Sequence, residues 1–117
     1  MKLVSCLLLP TLLAGCIAGP PQLNYEQYKK AGDMKIFKVG TTPEMEFKLI
    51  SEVDAADCSG PGGSRLYGDE GKALDILKMK TAAMGGDAIV NVSCAAAPFV
   101  NNCWAAKKCE GTAVSWK

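Results

Sequence analysis

Apolar residues run almost unbroken from Leu3 to Leu13 (Leu3, Val4, Cys6, Leu7, Leu8, Leu9, Leu12, Leu13), behind a positive start at Met1-Lys2. After Gly19-Pro20-Pro21, a pair of prolines that resists helix and sheet, the pattern becomes periodic. Residues 34–39 (Met-Lys-Ile-Phe-Lys-Val) predict a strand that Gly40-Thr41-Thr42-Pro43 ends. Residues 45–53 alternate, with Met45, Phe47 and Leu49 on one face and Glu46 and Lys48 on the other, which predicts a second strand. Residues 54–68 hold Cys58, Pro61 and several glycines and predict a loop. From Asp69 the period changes to that of a helix, with a core face of Ala73, Leu74, Leu77, Thr81 and Met84 and a stop at Gly85-Gly86. Residues 88–94 and about 105–116 predict two further strands, joined by a turn at Asn101-Asn102. The order β-β-α-β-β predicts an α+β fold: a small, mostly antiparallel four-stranded sheet with one helix on one face.

The first apolar run is shorter than the ~20 residues that span a bilayer and suits a signal-peptide core. It ends in Leu13-Ala14-Gly15-Cys16, which resembles the bacterial lipobox. That resemblance implies cleavage before Cys16 and acylation of its sulfur. At about 0.8 kcal/mol per buried CH₂, three acyl chains anchor a protein for good. The chain therefore divides into a leader over 1–15, a lipidated tether over 16–33 and a domain over 34–117. Ile17 follows the lipidated position where enterobacterial inner-membrane lipoproteins carry Asp, so the expected address is the outer membrane, with the domain facing the periplasm. In the tether, Tyr25 and Tyr28 either dock on the domain or sit at headgroup level.

Charge narrows the partners. Lys and Arg total 13 against 12 Asp and Glu, and Lys2 falls in the leader, so the remainder is balanced. No basic stripe is present to neutralise phosphates, which argues against a nucleic-acid partner. The chain contains no His, which removes Ser–His–Asp and Cys–His catalysis and every His-containing zinc site. The remaining carboxylates with a conceivable catalytic role are Asp54, Asp57, Asp69, Glu70 and Asp87, each at a loop or element boundary where such groups usually cap or solvate. Asn91 reads as an outward polar residue of its strand. The expectation is a protein that is not an enzyme and uses no cofactor, metal or small-molecule substrate.

Beyond the leader and Cys16, four cysteines remain: Cys58, Cys94, Cys103 and Cys109. Structural disulfides, a four-thiolate metal site and redox chemistry are the competing readings. The last two lack the CxxC spacing they normally use, and an even number in an exported chain favours disulfides. Four cysteines allow three pairings. Positions 94 and 109 are equidistant from the centre of the last hairpin, which favours a bridge between them and leaves Cys103 for Cys58. On the chain-entropy model the 94–109 loop contributes ~3 kcal/mol and the 58–103 loop ~4 kcal/mol, against a domain stability of ~5–15 kcal/mol.

The segments Ser51-Glu52-Val53 followed by Cys58, the helix from Ala73 to Gly85, Val92-Ser93-Cys94, and Cys103-Trp104-Ala105-Ala106-Lys107-Lys108-Cys109-Glu110-Gly111-Thr112-Ala113 together resemble the RcsF family of outer-membrane lipoproteins, which sense envelope damage for the Rcs phosphorelay of enteric bacteria. The resemblance covers about residues 45–117. It implies a small sheet with a helix, the crossed pairing Cys58–Cys103 and Cys94–Cys109, and signalling through contact with an inner-membrane regulator or an outer-membrane barrel. Trp104, Lys107 and Lys108 lie near the disulfides and form the candidate contact surface, against the alternative of Trp104 in the core and the lysines in solvent. The family carries a long, proline-rich, basic segment between lipid and domain. Here the tether is short, with only Lys29 and Lys30 basic before Asp33. The second expectation is accordingly an accessory or structural lipoprotein of an envelope or secretion assembly.

Overall fold

The computed structural model describes residues 21–58, 66–98 and 103–117, with the side chains of 66, 67, 98 and 103–105 left aside. The elements are α1 (Tyr25–Gly32), β1 (Lys35–Lys38), β2 (Phe47–Asp57), β3 (Leu66–Tyr67), α2 (Glu70–Ala83), β4 (Ala88–Pro98) and β5 (Cys103–Trp116). Four strands follow the order β1-β4-β5-β2, and the short β3 pairs with β5 off that path. The fold is α+β, but the sheet is mixed. β4–β5 and β2–β5 are antiparallel, while β1–β4 and β3–β5 are parallel. The expected mostly antiparallel pairing is found in the two long ladders, and the sheet departs from it at β1–β4, where β2, β3 and α2 intervene and a connection of that length permits a parallel return.

A second difference lies at 25–32, expected as tether and found as α1. Its cause is local. Asn24 caps the helix: its Oδ1 accepts from the Gln27 N–H (2.8 Å), and Gln27 Oε1 accepts in return from the Asn24 N–H (3.0 Å). This reciprocal pair satisfies two donors that the first turn cannot use. Ala31 of α1 and the following Met34 are buried in the main core, and α1 packs on α2.

The predicted α2 is present and capped as expected. Asp69 Oδ2 accepts from the Lys72 N–H (2.9 Å). Ala73, Leu77, Thr81 and Ala82 are buried, whereas Met84 at the C-cap is exposed. Gly85 has a φ of +82° and turns the chain out of the helix. Both helices lie on one face of the sheet. The core between them and the strands contains Val53 and Ala55 of β2, Ile89 and Val92 of β4, and Cys109 and Ala113 of β5.

Two register shifts decide which residues reach that core. In β2 the shift falls between Leu49 and Ser51. Phe47 and Leu49 therefore point to the helix-free face, and Val53 and Ala55 to the helices, although all four have the same parity. The alternation seen from Met45 to Leu49 is real but marks the other side of the sheet. Beyond the shift β2 is a boundary strand of the sheet, and Lys80 of α2 reaches over it to donate to the Asp54 carbonyl (Nζ···O 2.9 Å).

In β4 the shift falls between Val90 and Ser93. Asn91 has a φ of +59°, a left-handed conformation that Asn tolerates better than most residues. The extra residue lets Ile89 and Val92 both face the helices. Opposite them sits Gly111. A Cβ there would lie 2.9 Å from Ile89 Cγ2, 3.0 Å from Val92 Cγ2 and 3.0 Å from the Val90 carbonyl oxygen. The bulge fills the space that a side chain at 111 would take. Gly111→Ala is expected to destabilise the domain by about 1–3 kcal/mol, the usual range for overpacking, measured as a lowered midpoint in urea with an unchanged m-value.

Candidate functional site

Cys94 and Cys109 stand directly opposite each other in the β4–β5 ladder and are joined by a disulfide, with a Cα–Cα distance of 4.0 Å. Cys109 is fully buried, and the bridge lies within the helix-side core. It closes a loop of 15 residues, for which the chain-entropy model gives about 3 kcal/mol. Cys58 follows the last residue of β2 and is also disulfide-bonded. The Cys103 side chain falls outside the described residues, as do the leader and Cys16.

Of the carboxylates singled out in the sequence, Asp57, Asp69 and Asp87 join elements of the fold. Asp57, at the end of β2, is buried with 7% of its surface exposed, and its Oδ2 accepts from the Asp69 N–H (2.8 Å). Asp57 and Asp69 thus act in series at the entrance to α2, and Glu70 lies in its first turn. All three are acidic groups at the positive end of a helix. Asp54 is an outward residue of β2, 3.6 Å from the Lys108 ammonium. Asp87 precedes β4. Its Oδ1 lies 2.8 Å from Lys30 Nζ, and its Oδ2 accepts from the Trp116 N–H (2.9 Å). The Lys30 hydrogen bond is the main reason its carboxyl is held below the usual carboxylate range, with the Trp116 N–H second and partial burial opposing both. One side chain therefore ties α1, β4 and β5 together.

The face of the sheet opposite the helices carries no covering layer among the described residues. At one end Phe37, Phe47 and Trp116 pack over Ala88, Val90 and Val114, and no helix residue joins this cluster. Leu49, paired with Val114, is 68% exposed beside it. Further along the same face come Glu52 opposite Thr112, Asp54 opposite Glu110, and Ala56 opposite Lys108. Thr112 Oγ1 lies 3.4 Å from Glu52 Oε2. The face is thus aromatic at one end and mainly acidic at the other. A shallow depression of about 190 Å³ lies by Glu52, Asp54 and Glu110.

Lys107 and Lys108 are consecutive in β5, so they project from opposite sides of the sheet. Lys108 belongs to the helix-free face and Lys107 to the helix side. The Trp104 side chain lies outside the described residues. Asn91 is exposed, as expected of an outward residue, and its backbone forms the bulge. Sequence reasoning missed the aromatic cluster. Its signal was the pairing of Phe47 with Trp116, residues far apart in the chain whose common face depends on the β2–β5 register.

Among the described residues no group of three or more His, Cys, Asp or Glu side chains is placed to hold a metal ion, and no helix is long and apolar enough to cross a membrane. No family model matches the chain, and no curated protein matches it. Solved structures do. A crystal structure of a protein of unknown function belonging to the DUF74 family, from Pediococcus pentosaceus, aligns with a TM-score of 0.52 at 18% identity, over 72% of this chain and 98% of that one. At that identity the likeness is one of fold.

Asp87 gives a direct test of the charge assignments. Its carboxyl is depressed in the folded state, so its contribution is present above the ordinary carboxylate range and is lost as pH falls through the lowered value. Asp87→Asn is expected to cost up to about 1 kcal/mol near neutrality, since Lys30 is part-exposed. The gap in melting temperature between wild type and variant is expected to close below about pH 4, measured by thermal melts across the acid range.

Proposed function

We propose that this protein is a lipid-anchored periplasmic module that works by protein–protein contact, in envelope-stress sensing of the RcsF type. The observation that carries the proposal is the combination of a lipobox at Cys16 with a disulfide built into the core at Cys94–Cys109. Export and oxidation belong together, since such bridges persist outside the cytosol. The second bridge we assign is Cys58–Cys103. In its support, β2 ends at Asp57 opposite Lys107, β3 pairs with β5 at Cys103, and Cys58 is itself bonded.

The contact surface we assign is the helix-free face. Its aromatic end offers Phe37, Phe47 and Trp116 to an apolar partner segment, and Glu52, Asp54 and Glu110 suit basic groups beside it. Lys108 lies on this face. The partner is an envelope protein, either an inner-membrane regulator or an outer-membrane barrel. Ile17, in place of Asp after the lipidated position, supports an outer-membrane address with the domain toward the periplasm. The structural roles found for Asp54, Asp57, Asp69 and Asp87 support a non-enzymatic reading.

One observation favours a second reading, an accessory lipoprotein of an envelope or secretion assembly. Because α1 begins at Tyr25, only residues 17–24 separate Cys16 from that helix, about 32 Å from Cys16 to Tyr25 at full extension. A partner reached across the periplasm needs more than this, whereas a partner in the same membrane does not.

Two measurements test the proposal. Thiol titration of the denatured, unreduced protein is expected to find no free thiol among Cys58, Cys94, Cys103 and Cys109, and four reactive thiols would remove its physical basis. Deletion of the gene is expected to blunt an envelope-stress reporter after outer-membrane damage. An unchanged reporter, with a stoichiometric partner recovered by cross-linking, would select the assembly role.

A further inference from the structure

We infer that α1 lies against the phospholipid headgroups of the membrane that holds Cys16, with Tyr25, Tyr28 and Lys29 as the contacting residues. The inference rests on the lipid-anchor reading and goes beyond it by giving the domain an orientation.

The helix has two faces. Gln27 and Lys30 are part-buried and Ala31 is buried, so this side packs inward. Tyr25, Tyr28, Lys29 and Gly32 fall at the i, i+3, i+4 and i+7 positions of the opposite stripe, and all are exposed. Tyr25 is 77% and Tyr28 49% exposed. Tyr28 also lines a cleft of about 290 Å³ with Asp75, Lys78 and Met79 of α2, so Tyr25 is the ring most fully left in water. Tyr is favoured at the membrane–water boundary, where the ring meets the upper acyl region and the hydroxyl stays hydrated. Lys29 adds a cation on the same stripe, and among the described residues no salt bridge engages it. The neighbouring Lys30 is already held by Asp87. Glu26, in the first turn at the positive helix end, flanks the stripe rather than belonging to it.

Chain length supplies the independent argument. Pro21 is placed against the domain, lining a cleft of about 340 Å³ with Glu52, Val53, Asp54, Lys80, Ala83 and Met84. From Cys16 to Pro21 the chain spans about 18 Å at most, and from Cys16 to Tyr25 about 32 Å. The anchored sulfur lies at the bilayer, so the part of the domain carrying Pro21 and the start of α1 cannot leave the lipid surface by more than these distances. The start of α1, with Tyr25 as its first residue, is thereby held within reach of the headgroups.

The test uses the full lipoprotein in vesicles of phosphatidylethanolamine and phosphatidylglycerol. Photoreactive p-benzoylphenylalanine is placed in turn at Tyr25, Tyr28 and Leu49, the last an exposed position on the opposite sheet face. Each variant is checked for the Cys94–Cys109 bridge by mass. After irradiation, phospholipid adducts are expected to be severalfold more abundant at 25 and 28 than at 49. Equal yields at all three positions, or protein–protein cross-links at 25 and 28 in place of lipid adducts, overturn the inference. The mass of the amino terminus separates the two levels: an acylated Cys16 without lipid adducts at α1 refutes the orientation alone, while an uncut and unacylated terminus refutes the anchor reading and the orientation together.

Discussion

The register of β4 against β5 is the constraint on which the other elements depend. It places Cys94 opposite Cys109, and the covalent bond then prevents the two strands from slipping. A slip of one residue would send every side chain of a strand to the wrong face. The bulge at Asn91 acts in the same ladder. By inserting one residue it turns both Ile89 and Val92 toward the helices, over Gly111, so that aliphatic side chains from β4 pack beside the disulfide in one core. Removal of the bridge would therefore loosen more than a loop.

Around this centre, charge is used mainly for joining elements. Asp57 and Asp69 hold the entrance of α2, Lys80 covers a β2 carbonyl, and Asp87 links α1 to the end of β5. These contacts sit at the margins of a core dominated by small and β-branched residues such as Ala73, Ala82, Val92 and Ala113. A core of small residues allows α2 to lie close to the sheet, and it leaves the larger rings (Phe37, Phe47, Trp116) to the other face. The two faces differ in chemistry for that reason.

Much of this was readable from the sequence. The α2 pattern, its Asp69 cap and its Gly85 stop are local signals, and each appears in the structure. The Cys94–Cys109 pairing followed from the symmetry of a hairpin. The helix α1 was legible in principle, through Asn24 and Gln27, but its polarity hid it and only its cap gave it away. The β1–β4 parallel pairing was not legible, because it joins segments separated by three other elements and no local pattern encodes a partner. The same holds for the aromatic surface. Met45, Phe47 and Leu49 showed that one side of β2 was apolar, but the shift after Leu49 decided which side faced the helices. A bulge leaves almost no trace in hydrophobic periodicity beyond a break in phase.

The boundary strand β2 has a further meaning. Eleven residues of extended chain at the limit of a sheet present a row of backbone donors and acceptors, a template on which another molecule of the same kind can grow. The displaced register at Ile50, the acidic Glu52 and Asp54, and the Lys80 ammonium seated on the Asp54 carbonyl interrupt that template where it is longest. Copies of the chain can then meet at high concentration without polymerising along the strand.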